Sequence, residues 1–407
     1  MQIDPERLIG NLRELACFGQ FKTGVNRPAF SAADMAAREW LREKMAATGL
    51  STVIDDVGNV YGRMDSATQA ILIGSHSDTV PFGGWLDGSL GVIYALEIAR
   101  CVAESGAAPL GVDAVSFQDE EGTYLGFFGS RVFCGDDLSA EIAAAKNKDG
   151  EPLAPLVAKL AGREPARLDP RRHFAYLEAH IEQGPRLEKS GTKIGLVKAI
   201  VGIKTFRVVF HGEANHAGTT PMDMRRDAGA AAFAFGAALA EIVPRNGSQE
   251  TVWNVGKAAF EPGAANVVPG TAELILQLRD SSPAVLEDLA RVIAETAQTC
   301  AARYRVAVEI AVLMDTAPAA MDASLAGLIA QAAGEVGAST LSLPSGAGHD
   351  AMVLARHVPA AMLFVPSIGG RSHHISEDTS EADIVLGARV LLRAVELLMS
   401  ERVHRTA

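Results

Sequence analysis

One stretch of this chain narrows its possible folds more than any other. Lys204 to Phe210 alternates like a strand, Arg226 to Ile242 reads as a helix, Thr251 to Phe260 and Ala272 to Arg279 are strand-like, Pro283 to Ala302 is helical, and Val306 to Leu313 returns to strand. A β-α-β-β-α-β order specifies a compact ferredoxin-like α+β unit. On either side the pattern differs. Ser31 to Thr48 sets Met35, Trp40, Leu41 and Met45 at helical spacing between a Ser31 cap and a Gly49 stop. Strand-like runs at Thr52 to Ile54, Asn59 to Met64, Ala70 to Ser75 and Val112 to Gln118 alternate with a helix near Gly91 to Glu104. Downstream, Leu325 to Val336 is helical, Ala361 to Phe364 is a short buried strand and Ile384 to Met399 a Leu-rich helix. This alternation predicts an α/β core with a mixed sheet, interrupted by the inserted unit. At 407 residues the chain also exceeds what one hydrophobic core supports. The expected layout is residues 1–200 and 315–407 as two parts of the core domain, with 201–314 inserted between them.

Composition matters here for what it excludes. A formal net charge of −12 opposes attraction to nucleic acid or anionic lipid, so neither is expected as a partner. Cys17, Cys101, Cys134 and Cys300 are scattered without a CxxC pair, which gives no support to a disulfide framework or a thiolate zinc site. The opening Met-Gln-Ile-Asp-Pro-Glu-Arg carries charge and no apolar run, and the apolar stretch Asp227 to Val243 has the length of a soluble helix bounded by charges. A cytoplasmic protein with no membrane segment is the expectation.

Chemistry concentrates where apolar runs end. Ala70 to Ile73 leads into Gly74-Ser75-His76-Ser77-Asp78-Thr79-Val80, followed by Leu86-Asp87-Gly88. Ligand sites in α/β proteins gather at the C-terminal ends of strands. Imidazole with carboxylate suits a first-row divalent ion, with Asp78 placed to orient the His76 ring from behind and Asp87 to bridge two ions. Taken alone, a loop cap and a turn explain His76 and Asp87 equally well. The next apolar strand ends in Asp119-Glu120-Glu121-Gly122, three carboxylates that repel one another unless a cation neutralises them. Neighbouring side chains at a strand end diverge, so one glutamate can bind metal while the other faces water as a general base. Glu178-Ala179-His180-Ile181-Glu182-Gln183-Gly184 and Gly370-Arg371-Ser372-His373-His374-Ile375-Ser376-Glu377 add two further histidine sites, both read as loops. Four separated elements converging on the same donor types point to a shared divalent-cation centre.

These strings, together with NHAGTTPM at Asn215 to Met222, NVVPG at Asn266 to Gly270 and SGAGHD at Ser345 to Asp350, resemble the M20-type metallohydrolases over nearly the whole chain. Within that family the likeness is to the branch of N-carbamoyl-L-amino-acid hydrolases, allantoate amidohydrolases and β-ureidopropionases. The resemblance implies that the α/β core is a metal-binding catalytic domain and the inserted unit a lid and dimerisation domain. It implies two divalent metal ions per subunit, zinc first, with manganese, cobalt or nickel as alternatives. His76 and His180 would hold one ion, Glu121 and His373 the other, with Asp87 bridging and Glu120 as general base. Gln183, His216, Asn266, Arg279, Gly348 and His349 match substrate-holding positions, His216 acting across a homodimer. One departure is that relatives commonly have Asn-Pro where this chain has His374-Ile375.

Some of these roles have independent support in the residues. Arg279 suits a bidentate grip on a carboxylate, although a pair with Asp280 explains it too. His216 and Asn266 sit in Gly- and Pro-containing loops, where either function or turn geometry accounts for them. The implied reaction is attack of water held between the two ions on the carbamoyl carbon of an N-carbamoyl-L-amino acid, releasing amino acid, ammonia and carbon dioxide. Allantoate and β-ureidopropionate present the same ureido group beside a carboxylate. An aminoacylase or peptidase of the wider family is a more distant reading, disfavoured by His180 where a carboxylate is common. A metal-free binding paralogue is opposed by the complete ligand set.

Overall fold

The computed structural model describes residues 1–106 and 110–406. The chain divides into two compact units, Met1–Lys198 with Ala320–Ala407, and Ala199–Ala319. The first unit opens with α1 (Pro5–Cys17), α2 (Ala32–Ala46), β1 (Ser51–Ile54), β2 (Val60–Arg63), β3 (Ala70–His76), α3 (Ser89–Glu104), β4 (Gly111–Phe117), β5 (His173–Ile181) and β6 (Ile194–Ile200). The second unit supplies β7 (Gly202–His211), α4 (Ala228–Asn246), β8 (Val252–Glu261), β9 (Thr271–Asp280), α5 (Pro283–Tyr304) and β10 (Ala307–Thr316). The first resumes with α6 (Ala323–Val336), β11 (Thr340–Ser345), β12 (Ala360–Val365) and α7 (Glu381–Thr406).

In the first unit β6, β12, β5, β3, β4, β2 and β1 lie side by side in one mixed sheet. The centre is parallel: β3 pairs β4 and β5 in parallel, and β12 pairs β5 in parallel. Every residue of β3 and β4 is buried, the condition of parallel strands covered on both faces. Leu90, Ile93 and Leu96 of α3, Leu8, Leu12 and Leu15 of α1 and Leu391 and Val395 of α7 belong to the same core as Ile71 and Ile73. The parallel centre matters for function because β3, β4 and β5 all deliver their C-terminal residues to one edge of the sheet.

Four elements here went unread in the sequence. Helix α1 had its signal in plain view: the Asp4 side chain accepts from the Arg7 N–H and Pro5 stands at the first helical position. β5, β6 and β11 are the others. His180 is a correction as well, since it is the penultimate residue of β5 rather than part of a loop. HFAYLEAHI does not look like a buried strand because Glu178 and His180 interrupt the apolar run, yet both are buried with partners.

The second unit is the β-α-β-β-α-β arrangement anticipated, with its antiparallel sheet ordered β8-β9-β7-β10. Along β9, Ala272, Leu274, Leu276 and Leu278 are buried on alternate positions, packing with Phe206, Val208 and Phe210 of β7 and Leu289 and Ile293 of α5. Helix α4 is long and apolar enough to cross a bilayer, yet Ala231, Ala232, Phe235, Leu239 and Val243 are buried in this core.

Candidate metal centre

His76 closes β3, Asp119 to Glu121 follow β4 directly, and His180 lies near the end of β5, so three neighbouring strands present their donors together. The loop after β3 adds Asp87, and the loop after β12 adds His373. Two clusters result, His76–Asp87–His180 and Asp87–Glu121–His373, each with its donor atoms within 4.8 Å of one another. Asp87 is common to both and splits its oxygens between them. Its Oδ1 lies 3.0 Å from His180 Nε2 and 3.6 Å from His76 Nε2, while Oδ2 lies 3.3 Å from His373 Nε2. Glu121 Oε1 is 3.6 Å from His373 Nε2, and Glu120 Oε2 is 3.5 Å from His76 Nε2. The two adjacent glutamates thus turn to different sides of the cluster. His373 rather than His374 joins the site, since the Nδ1 of His374 is taken by the hydroxyl and N–H of Ser376.

The imidazoles are oriented from behind. His76 Nδ1 lies 3.0 Å from the carbonyl of Asp78 and His180 Nδ1 lies 2.9 Å from the carbonyl of Ile181. A carbonyl only accepts, so both rings carry a proton on Nδ1 and turn Nε2 toward Asp87, where a cation would take the place of a second proton. Asp78 orients His76 through its backbone; its carboxylate stands 3.8 Å off, beside Arg38, which also pairs Asp34 at 2.9 Å. Gly88 must be glycine: its φ is +63°, and a Cβ there would fall 2.4 Å from His76 Nε2.

The electrostatics of this edge are those of a centre short of positive charge. Burial alone would lower the pKa of His76, but Glu120, Asp87 and Asp78 outweigh it and hold it well above the ordinary value. The hydrogen bond to Asp87 does most to lift His373 to about 9. Burial, with Asp87 beside it, pushes Glu121 up to about 7, and burial drives Glu120 well upward despite the pull of His76. Glu121 Oε1 is buried and receives no hydrogen bond among the described residues. Buried carboxylates that retain protons, histidines that gain them and an unpartnered oxygen describe a donor set that fits divalent cations, which would replace those protons.

Other expected site residues distribute as follows. Gln183, at φ +57°, donates from Nε2 to Asp87 Oδ2 at 2.8 Å, and its own N–H donates to Ser367 Oγ. His349 is buried with its ring 4.5 Å from that of His180 and bonded to Ser345, so it backs a ligand rather than facing an open cleft. Gly348 leaves room for Phe127, whose Cζ would sit 2.5 Å from a Cβ. In the second unit the bridge His216↔Val267 brings His216 beside Asn266, whose carbonyl accepts from the Ala217 N–H. His216 Nδ1 accepts from the N–H groups of Gly218 and Thr219, both at 3.1 Å, which leaves Nε2–H as a donor. Arg279 stands at the other end of the sheet, opposite Ile203, while His211 pairs Thr271 near the Asn266 end. Along β9 that separation is roughly 26 Å at about 3.3 Å per residue.

Two buried carboxylates escaped sequence reasoning. Glu377 Oε1 accepts from the N–H groups of Leu86 and Asp87, and its Oε2 receives the Ser372 hydroxyl, which also reaches Asp87 Oδ2. Glu178 accepts from Ser75 Oγ and the Ala351 N–H behind His180. Glu377 stood within the noticed string Gly370 to Glu377, but the contact that gives it a role spans 290 residues.

The sequence profile of peptidase family M20/M25/M40 matches residues 72–397. An N-carbamoyl-L-amino acid amidohydrolase of Geobacillus stearothermophilus is 36% identical over 97% of this chain and 98% of its own length. An allantoate amidohydrolase of Escherichia coli is 34% identical over 90% of this chain and 91% of its own. A crystal structure of an amidase of the hydantoinase/carbamoylase family from Burkholderia phymatum superposes with a TM-score of 0.92 at 45% identity, covering 98% of each chain.

Proposed function

Since the chain belongs to peptidase family M20/M25/M40, we propose that it is an amidohydrolase cleaving the carbamoyl C–N bond of N-carbamoyl-L-amino acids, releasing amino acid, ammonia and carbon dioxide. The observation that carries this is the pair of ligand clusters sharing Asp87, with Glu120 at their side, in a chain similar over nearly its full length to such an enzyme. Two divalent cations held by His76, Asp87, His180, Glu121 and His373 would polarise the substrate carbonyl and lower the pKa of water. Glu120, at the side of the clusters with Oε2 3.5 Å from His76 Nε2, takes a proton from the attacking water and returns it to the departing nitrogen. The Nε2–H of His216, fixed as a donor by Gly218 and Thr219, stabilises the developing oxyanion. The Arg279 guanidinium grips the substrate carboxylate.

Arg279 stands roughly 26 Å along β9 from Thr271, the end of the strand near which Asn266 and His216 lie, a span beyond the reach of one small ureido acid. One chain therefore contributes Arg279 to a site and a second copy contributes His216 and Asn266, so the active form is a homodimer. The second unit offers an apolar face for that copy: Phe233 is 71% exposed and stacks on Phe260 at 5.2 Å.

The test is ammonia release by metal-reconstituted protein from N-carbamoyl-L-amino acids, allantoate and β-ureidopropionate. Turnover of the first class, reduced by about 10²–10⁴-fold in Glu120→Gln with metal content unchanged, is the expected result. Preference for allantoate would select the second reading, which the Escherichia coli relative favours. Silence of the metal-loaded protein on all three would overturn both.

A further inference from the structure

We propose that the substrate's side chain enters an apolar pocket beside Glu121, and that the enzyme therefore favours ureido acids bearing large apolar or aromatic side chains. The inference rests on the ureido-acid reading above and adds to it the class of side chain.

The pocket lies wholly within the first unit, holds about 510 Å³ and has Glu121 in its wall. That volume falls within the roughly 300–1,000 Å³ of small-molecule clefts. Volume alone selects nothing, because a cavity of the same size opens at the other end of the sheet beside Arg167 and Arg172. There the guanidinium groups are already committed, Arg167 to Asp56 and Arg172 to Asp113. Of these two cavities, the first alone shares a wall residue with the two clusters.

Its lining sets the chemistry. Phe30, Val80, Phe82 and Tyr124 face it, with Phe30 and Tyr124 in edge-to-face contact at 5.9 Å. Phe82 is 49% exposed and backed by the ring of Phe21 at 4.7 Å, an apolar surface left open to water at the edge of this cavity. Phe30 and Phe82 also adopt φ values of +62° and +56°, a region bulky residues avoid. Backbone strain of this kind persists where the surroundings impose it and gathers at ligand sites. The polar turn Asn147 to Glu151 forms the lip, leaving the aromatic wall as the part that discriminates. Allantoate carries a second ureido group and β-ureidopropionate carries no side chain, so neither places an apolar substituent here.

The experiment measures kcat/KM for N-carbamoyl derivatives of glycine, alanine, leucine and phenylalanine with wild type, Phe82→Ala and Val80→Trp. Calorimetric binding of the corresponding free amino acids to the metal-loaded proteins gives a readout independent of turnover. Leucine and phenylalanine substrates should exceed alanine by about 10-fold or more, mainly through KM. Phe82→Ala removes the wall and Val80→Trp fills the space; each should lower the large-substrate values about 10-fold relative to the value for N-carbamoylglycine in the same variant. Because the Phe82 ring stands on the surface, its loss does not threaten the fold. Turnover of ureido substrates with a flat preference, or a preference that survives both variants in kinetics and in binding, overturns the pocket and leaves the carbamoylase reading standing. Absence of turnover on every ureido substrate removes both.

Discussion

Both ends of the central sheet carry a buried histidine against an aspartate at the same distance, and only one of them is built to bind an ion. At the C-terminal edge His180 Nε2 meets Asp87 Oδ1 at 3.0 Å; at the opposite edge His173, the first residue of β5, meets Asp113 Oδ2 at 3.0 Å. Around Asp113 every requirement is met locally. Arg172 grips it at 2.7 and 2.8 Å, and the Tyr61 hydroxyl and Met64 N–H add two more donors. Burial would raise that carboxyl, but His173 and Arg172 hold it at about 2. At the other edge the aspartate keeps its charge and its neighbours are driven to hold protons: Glu121, Asp119 and Glu377 rise to about 7 and Asp350 to about 8, burial being the largest cause in each. A His–Asp contact therefore does not mark a metal centre. A surplus of buried carboxylate left over once every internal partner is used does.

The largest effect expected from this contrast is on stability at the satisfied end. Asp113→Asn leaves the Arg172 guanidinium buried without its counter-charge and should cost about 3–5 kcal/mol in thermal or denaturant unfolding. Activity per folded molecule should be unchanged; an equal loss of activity would break the distinction between the two ends.

Next in size is a slope with pH in the metal-free protein. Glu121, Asp119, Glu377 and Asp350 bind protons in the folded state more tightly than in the unfolded chain, whose carboxylates titrate near 4. Stability that these groups lend is present at low pH and lost as pH rises from about 4 through 7 to 8, at about 1.4 kcal/mol per group for each pH unit crossed. Melting temperatures after chelation should fall over that window and flatten once divalent metal is restored. Asp113 works in the opposite sense, since its contribution disappears only as pH falls from 3.8 toward 2. A metal-free protein with no slope between pH 5 and 8 would contradict the surplus.

The smallest stability change belongs to Glu121→Gln. Because Oε1 has no hydrogen bond to lose, the metal-free variant should unfold within about 1 kcal/mol of wild type at about pH 4, below the range in which Glu121 titrates. Bound metal should nevertheless drop from two ions to one per chain by elemental analysis. A large destabilisation with both ions retained would move Glu121 from ligand to structural residue.

Sequence periodicity read the inserted unit well because its strands bury one face and expose the other, as the alternation along β9 shows. It failed on β5, where the strand is buried on both faces and the polar residues inside it serve the site. The residues of the two clusters were visible because each ends an apolar run or sits in a distinctive string. Glu377 and Arg38 were not, since each acts by filling hydrogen bonds of residues far away in the chain, and no local pattern encodes a contact of that kind. The same holds for Asp78, whose carbonyl rather than carboxylate turns the His76 ring.

One feature of the sheet bears on how the protein is made. β5 and β6 follow each other in the chain, yet β12 lies between them, pairing β5 on one side and β6 on the other. On a ribosome, residues 173–200 emerge long before 360–365, so two strand edges with unpaired N–H and C=O groups must wait while the whole inserted unit is synthesised. Because His373 and Glu377 also lie beyond β12, the nascent chain cannot close the metal centre until that gap is filled.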